Sequence, residues 1–332
     1  MNTDKKIILT GIKPTGTLHF GNYVGALKPL VQMAKTQTTF MFLADLHALN
    51  FMRDPAQIKQ HTYEIAAFLM AAGLNLQNAV LFRQSDVAAV SQLSTLLMNV
   101  TPKGLMNRAH SYKDNVAKNI AAKNDPDDGI NMGLYTYPVL MAADILIYNS
   151  DLVPVGKDQK QHVEFARDIA GYFNNIYGNI LKLPEPVIGD DTGIIPGLDG
   201  RKMSKSYNNI IPIMATESEL KKKIMQIITD SKLPNESKNP DESTIFLLYK
   251  HFATDSEIAD FREKFVAGGF GYGELKTELF EKINSFIAPI RTEYERLMNN
   301  KSEIDAILND GAKRASAVAA TTLSRVQKAM LD

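Results

Sequence analysis

Short apolar runs alternate with stretches of three-and-four spacing through the first part of the chain. Ile7 to Thr10, Thr39 to Ala44, Ala79 to Phe82 and Leu152 to Val155 are β-branched or apolar and predict buried strands. Between and after them the spacing predicts helices over about Gly21 to Lys35, Gln57 to Ala72, Ser85 to Met98 and Leu134 to Tyr148, and one from Asp158 and Gln159 to about Tyr177. Pro138 is expected in the first turn of its helix, where a missing N–H costs little. Strand and helix alternating with short connections imply a parallel sheet with right-handed crossovers. The fold class is therefore α/β, a doubly wound, Rossmann-like sheet over residues 1–206.

Residues 101–131 interrupt the alternation. Thr101 to Tyr112 has helical character, but Lys113 to Gly129 is polar and contains the turn cluster Asn124 to Gly129, so the stretch is expected to be an insertion between the halves of the sheet. Beyond Tyr207 the pattern is wholly helical, over Thr216 to Ile228, Thr244 to Phe252, Asp255 to Val266, Glu274 to Asn300 and Glu303 to Leu331. That predicts an all-helical C-terminal domain, 207–332, whose last helix folds back on the first domain. Gly268 to Gly273 lacks phosphate-loop spacing and is expected to be a turn.

Composition narrows the class. At 332 residues, 45% hydrophobic, the chain is long enough for two compact domains. It has no run of 18 apolar residues, which argues against a membrane span. Met1 to Lys6 is charged and the apolar piece behind it is too short for a signal peptide. The absence of cysteine excludes disulfides and thiolate zinc sites, so a cytoplasmic protein is expected. Net charge is +0, and residues 207–332 carry 17 Lys and Arg against 19 Asp and Glu. Any contact with nucleic acid must then be a local patch rather than a broad field.

Four stretches carry candidate chemistry. In Lys202-Met203-Ser204-Lys205-Ser206, two lysines flanked by small residues can converge on a polyphosphate, although a solvated basic loop has the same composition. Far upstream, Pro14 to Asn22 links the first strand to the first helix. His19 and Asn22 can both face a ligand over that helix N-terminus, where free N–H groups favour phosphate. Asp45 and His47 follow the second strand, at the end of the sheet where open α/β folds bind ligands. In the helix to Tyr148, apolar on all sides, Asp144 is the exception and needs a donor. Tyr137, Met141 and Asp144 share one face of it. A backbone group or an arginine would satisfy the carboxylate as well as a ligand would. His162 and Glu164 are expected to be structural.

The His19 to Asn22 and Lys202 to Ser206 stretches together resemble the paired signatures of class I aminoacyl-tRNA synthetases. Thr136-Tyr137-Pro138, Met141 to Leu146 and Val153 to His162 extend the resemblance, over essentially the whole chain, to the bacterial tryptophanyl-tRNA synthetase family. The resemblance implies activation of L-tryptophan with ATP, Mg2+ arriving with the nucleotide, transfer to tRNA(Trp), and a homodimer with its interface near the insertion. It assigns Asp144 to the indole N–H, Met141 to the ring, and Tyr137 and Gln159 to the ammonium group, with Gly11, His47, Val153 and Val155 around them. Lys202 and Lys205 would hold the leaving pyrophosphate, with Ser204 and Ser206 in their loop and Lys113 approaching from the insertion. Lys13, Pro14, Thr15, His19, Gly21 and Asn22 would hold phosphate and adenine. Gly156, Lys157 and Asp158 would hold ribose, and the backbone at Ile194 and Met203 would read adenine.

Departures from the family pattern add charge near the nucleotide. Lys13 stands where many members carry glutamine, and Lys157 replaces an acidic residue. The rival readings are a tyrosyl enzyme, whose Asp-Gln-x-x-Asn pattern is replaced here by Asp158 to His162, a small-molecule adenylyltransferase, and a non-catalytic paralogue.

Overall fold

The computed structural model describes residues 6–156, 159–188 and 194–332. Five parallel strands, β1 (Ile7–Ile12), β2 (Thr38–Leu43), β3 (Ala79–Arg83), β4 (Leu152–Val155) and β5 (Glu185–Ile188), lie in the order β3-β2-β1-β4-β5. Every pairing is parallel, with Ile8 opposite both Thr39 and Leu152. The order reverses at β1, so a crevice opens between β1 and β4 beyond their C-terminal ends, the place where such sheets bind ligands. Gly11 lies there, inside β1, because a Cβ would overlap the Phe42 ring of β2.

Apolar side chains cover both faces of the sheet, as a parallel sheet requires. One face, with Met41, Leu43 and Leu81, packs under the first helical segment, the helix Pro55–Ala71 and much of the C-terminal region. The other, with Phe40, Phe42 and Phe82, is covered by the helices Ala88–Met98, Met132–Ile147 and Lys160–Tyr177.

Several elements differ from expectation. Pro138 lies inside the helix Met132–Ile147 rather than in its first turn, because the Asn131 side chain accepts from Leu134 N at 2.9 Å and starts the helix earlier. The first helix is a turn at Phe20–Asn22, a π-helical segment Tyr23–Leu27 and the helix Lys28–Met33. The stretch 101–131 contains the helices Lys103–Met106 and His110–Ala121, so Lys113 sits on a helix instead of in a polar loop. Asn119 Nδ2 closes the following turn by donating to the Pro126 and Asp128 carbonyls at 3.0 and 2.8 Å.

The C-terminal helices are Glu217–Met225, Thr244–Tyr249, Asp255–Ala267, Tyr272–Asn299 and Lys301–Leu331. Thr216 and Thr254 begin two of them with reciprocal caps to Glu219 and Glu257, which satisfy N-terminal N–H groups. The last helix folds back as expected and lies across the edge strand β3. Arg83 Nη1 donates to Asp305 Oδ1 at 2.9 Å, Arg83 Nη2 to Asn309 Oδ1 at 3.0 Å, and Tyr63 Oη to Asp305 Oδ2 at 2.9 Å. Covering β3 also shields an edge that would otherwise pair with other chains.

Gly311 marks the closest approach, where a Cβ would collide with the Leu81 carbonyl. Glycine to alanine inside a helix ordinarily stabilises by roughly 0.5–1 kcal/mol. Gly311→Ala should do the reverse, destabilising by about 1–3 kcal/mol as the helix is pushed off β3. The midpoint of urea unfolding measures it, and a rise would show that the helix moves freely away from the strand.

Candidate active site

The loop after β1 bends back at Gly16, whose φ of 70° favours glycine, and feeds the N-terminus of the first helix. His19 caps that helix. Its Nδ1 accepts from Asn22 N at 3.3 Å, while Asn22 Oδ1 accepts from His19 N at 3.2 Å. Burial, and then the Lys205 charge, lower the His19 pKa to about 4. Neutral His19 can accept that cap bond, which an imidazolium could not.

The Lys202 to Ser206 loop is joined directly to this cap. Phe20 N donates to Ile211 O at 3.1 Å and Ile213 N to Leu18 O at 3.1 Å, so the chain after the lysines runs alongside the histidine segment. Gly21 N donates to Met203 Sδ at 3.3 Å, and Lys205 Nζ donates to Thr15 O at 2.7 Å. Met203 is buried in the core while Lys202, Lys205 and Ser206 are exposed. A buried methionine therefore anchors a loop whose two lysines lie at the surface, Lys205 with its ammonium on the Thr15 carbonyl. Ser204 Oγ and Ser206 Oγ lie 2.8 Å apart.

Asn209 holds the loop from beneath, and nothing in the sequence pattern distinguished it. It is 2% exposed, accepts from Ser204 N at 2.8 Å, and donates to Lys202 O at 3.1 Å and Asp199 Oδ1 at 2.6 Å. Gly197 leaves space for it, since a Cβ there would overlap the Asn209 amide.

Across the crevice, Asp144 is 1% exposed. Its Oδ2 lies 2.9 Å from His47 Nε2, and Gln84 Nε2 donates to Oδ1 and Oδ2 at 3.0 and 2.8 Å. Burial raises the Asp144 pKa, while the His47 and Gln84 hydrogen bonds oppose the rise. The ring centres of His47 and His162 lie 6.4 and 5.7 Å from that of Tyr137, both edge-on, and Ser111 Oγ is 3.3 Å from the tyrosine hydroxyl. Met141 is partly buried against the same core, and Val153 and Val155 come from β4.

The remaining expected residues lie around these two clusters. Pro14 is buried, Thr15 half-buried, and Lys13 Nζ sits 5.5 Å from the Phe51 ring centre. Gly156 and Gln159 flank the end of β4, and exposed Ile194 precedes the loop. Lys157 and Asp158 fall outside the described residues. Lys113 is exposed on the helix that also carries Ser111. Gln84 and His162 were not singled out as functional, although a glutamine directly after a buried strand is a signal of the same kind as Asp45 and His47. Among the described residues, no three His, Asp or Glu side chains are grouped to hold a metal ion.

The family described as tRNA synthetases class I (W and Y) matches residues 1–288. The chain belongs to this family. A tryptophan–tRNA ligase of Pseudomonas aeruginosa is 46% identical over 328 residues, which are 97% of this chain and 73% of the relative. One from Xanthomonas campestris is 49% identical, with 95% and 74% covered. The crystal structure of tryptophanyl-tRNA synthetase from Campylobacter jejuni, complexed with ADP and tryptophan, superposes with a TM-score of 0.89 at 40% identity, covering 97% of this chain and 98% of that one. In this synthetase the paired signatures are thus joined through Met203 Sδ and Lys205 Nζ, with main-chain hydrogen bonds from Ile211 and Ile213 just beyond the lysines, and not merely by order in sequence.

The His19 environment gives a pH prediction. With a folded pKa near 4 against about 6.5 for an unperturbed imidazole, the unfolded chain takes the proton first. The associated stability is present above pH 6.5 and is lost as pH falls from there towards 4. NMR titration of His19 should give a midpoint near 4, and Lys205→Ala should move it upward. A midpoint at 6.5 in the parent would mean that the cap is open to solvent.

Proposed function

We infer that this chain is a tryptophan–tRNA ligase, which activates L-tryptophan with ATP to tryptophanyl-AMP and pyrophosphate and then transfers tryptophan to the 3′ end of tRNA(Trp). The observation that carries the substrate is the Asp144 carboxylate, buried in an apolar helix and held by two donors, in a chain 46–49% identical to tryptophan–tRNA ligases. A phenol hydroxyl needs a donor and an acceptor, whereas an indole N–H needs an acceptor alone. Asp144 accepts the indole N–H, Met141 packs against the ring with its polarizable sulfur, and Tyr137 and Gln159 hold the ammonium group.

The substrate carboxylate attacks the α-phosphorus of ATP. It is already ionised, so the protein supplies no base; catalysis is alignment and stabilisation of growing phosphate charge. His19, Gly21 and Asn22 hold the phosphates and adenine at the helix N-terminus, and the backbone at Met203 and Ile194 reads adenine. Gly156 and Asp158 hold ribose. Lys202 and Lys205 move onto the leaving pyrophosphate. Lys205 exchanges the Thr15 carbonyl for phosphate, a stronger, charge-assisted bond. Lys113 approaches from its helix, and Lys13 and Lys157 add positive charge. Mg2+ enters with ATP as part of the substrate.

The helices of residues 207–332 receive the tRNA anticodon through local patches, consistent with their lack of net positive charge. A homodimer forms at the face near the insertion, where Phe51 and Met132 are 65% and 68% exposed. Their neighbours Asn50 and Gly133 approach closely, since a Cβ at 133 would lie 2.6 Å from Asn50 Oδ1. No helix among the described residues is long and apolar enough to cross a membrane. The enzyme acts in the cytoplasm, where tRNA is charged.

Amino-acid-dependent ATP–pyrophosphate exchange without tRNA tests the reading. Exchange should occur with tryptophan and not with tyrosine or phenylalanine; exchange with tyrosine would remove Asp144 from its role, and none at all would leave a non-catalytic member of the family. Asp144→Ala should lower kcat/KM for tryptophan by about ten- to hundredfold, the equivalent of a hydrogen bond to a charged group. Lys205→Ala should lower the activation rate with little change in tryptophan affinity; an unchanged rate would make the loop a bystander.

A further inference from the structure

A carboxylate offers about four acceptor positions, and here most are occupied before any ligand arrives. Oδ2 of Asp144 faces two donors, His47 Nε2 and Gln84 Nε2, whereas Oδ1 faces Gln84 alone. We propose that Gln84 is a specificity-determining positioning residue: by bridging both oxygens of Asp144 it turns Oδ1 towards the substrate as the acceptor for a ring N–H. The inference rests on the assignment of Asp144 to the indole.

The orientation of the Gln84 amide is fixed by its partners. Its nitrogen faces a carboxylate and its oxygen accepts from His47 N at 3.4 Å, so a flipped amide would oppose oxygen to oxygen and nitrogen to nitrogen. Gln84 is 1% exposed, leaving it no water to exchange for these bonds. Its neighbours hold its backbone from both sides. Arg83 is tied to Asp305 and Asn309 of the last helix. Ser85 donates through N and Oγ to Asp45, at the start of the short helix Asp45–Ala48 that carries His47. The three consecutive residues thus connect the carboxylate, the histidine segment and the covering helix. A Gln84 that served only to fill the core would influence stability alone; one that aims Asp144 must influence recognition of N–H.

The test compares tryptophan with 3-(3-benzothienyl)alanine, in which sulfur replaces the indole N–H, by pyrophosphate exchange in the full-length protein. Parent enzyme should prefer tryptophan strongly, because a buried acceptor left unpaired penalises the analogue. Gln84→Met keeps the side chain's approximate volume and removes the donor. It should reduce the ratio of kcat/KM values for the two substrates by about tenfold or more, mainly by loss with tryptophan. In an Asp144→Asn background the same substitution should leave the ratio unchanged. Should Gln84→Met fail to fold, Gln84→Glu keeps the shape and opposes one acid to another; it should reduce the ratio similarly at neutral pH. A parental ratio in a folded Gln84 variant overturns the inference while leaving Asp144 assigned. A parent that does not discriminate the two substrates overturns the Asp144 assignment and the inference with it.

Discussion

A carboxylate in an apolar helix has to be supplied with donors, and the architecture around Asp144 follows from that constraint. The donors come from the segments after β2 and β3, so the end of the sheet, not the helix, decides which way the acid faces. Their registers are set by continuous parallel pairing from Thr38 and Ala79 onward. A slip of one residue in β3 would turn Gln84 to the other side of the sheet and leave a buried charge with a single partner. The orientation of Asp144 is thus held by strand pairing.

The lysine-loop side of the crevice rests on a different device. There the cations stay exposed, and rigidity is placed beneath them in Met203 and Asn209. Fixed main chain beneath surface lysines suits the proposed handling of phosphate charge. Backbone hydrogen bonds between Leu18 to Phe20 and Ile211 to Ile213 keep the loop beside the helix that His19 caps. The lowered His19 pKa follows first from its burial in this junction and then from Lys205, which discourages a second positive charge.

The last helix connects these local arrangements to the whole. It closes the edge of β3, contributes Ile304 and Leu308 to one face's core and Ala315 to Val326 to the other's, and ties Arg83 in place. Movement of this helix would be felt at the residue next to Gln84. Gly311 allows the approach, and it is the absence of a side chain there that brings helix and strand into contact.

The sequence by itself determined four of the five strands and most helices, because alternation and three-and-four spacing reflect short-range geometry; the short edge strand β5, Glu185–Ile188, carries too little pattern. It also identified the class of chemistry, since His19 to Asn22 and Lys202 to Ser206 carry it in residue type, and it exposed Asp144 as a charge in an apolar helix. Tertiary structure decided who satisfies that charge: Gln84 is 60 residues away, His47 is 97, and nothing local links them. It likewise decided that Asn209 supports the lysine loop, that His162 faces Tyr137, and that Lys113 rides on a helix. Pro138 lies inside its helix because a cap at Asn131 outweighed the proline's preference for a first turn. Periodicity reports which side of an element is buried; which partner waits there depends on contacts between segments far apart in the chain.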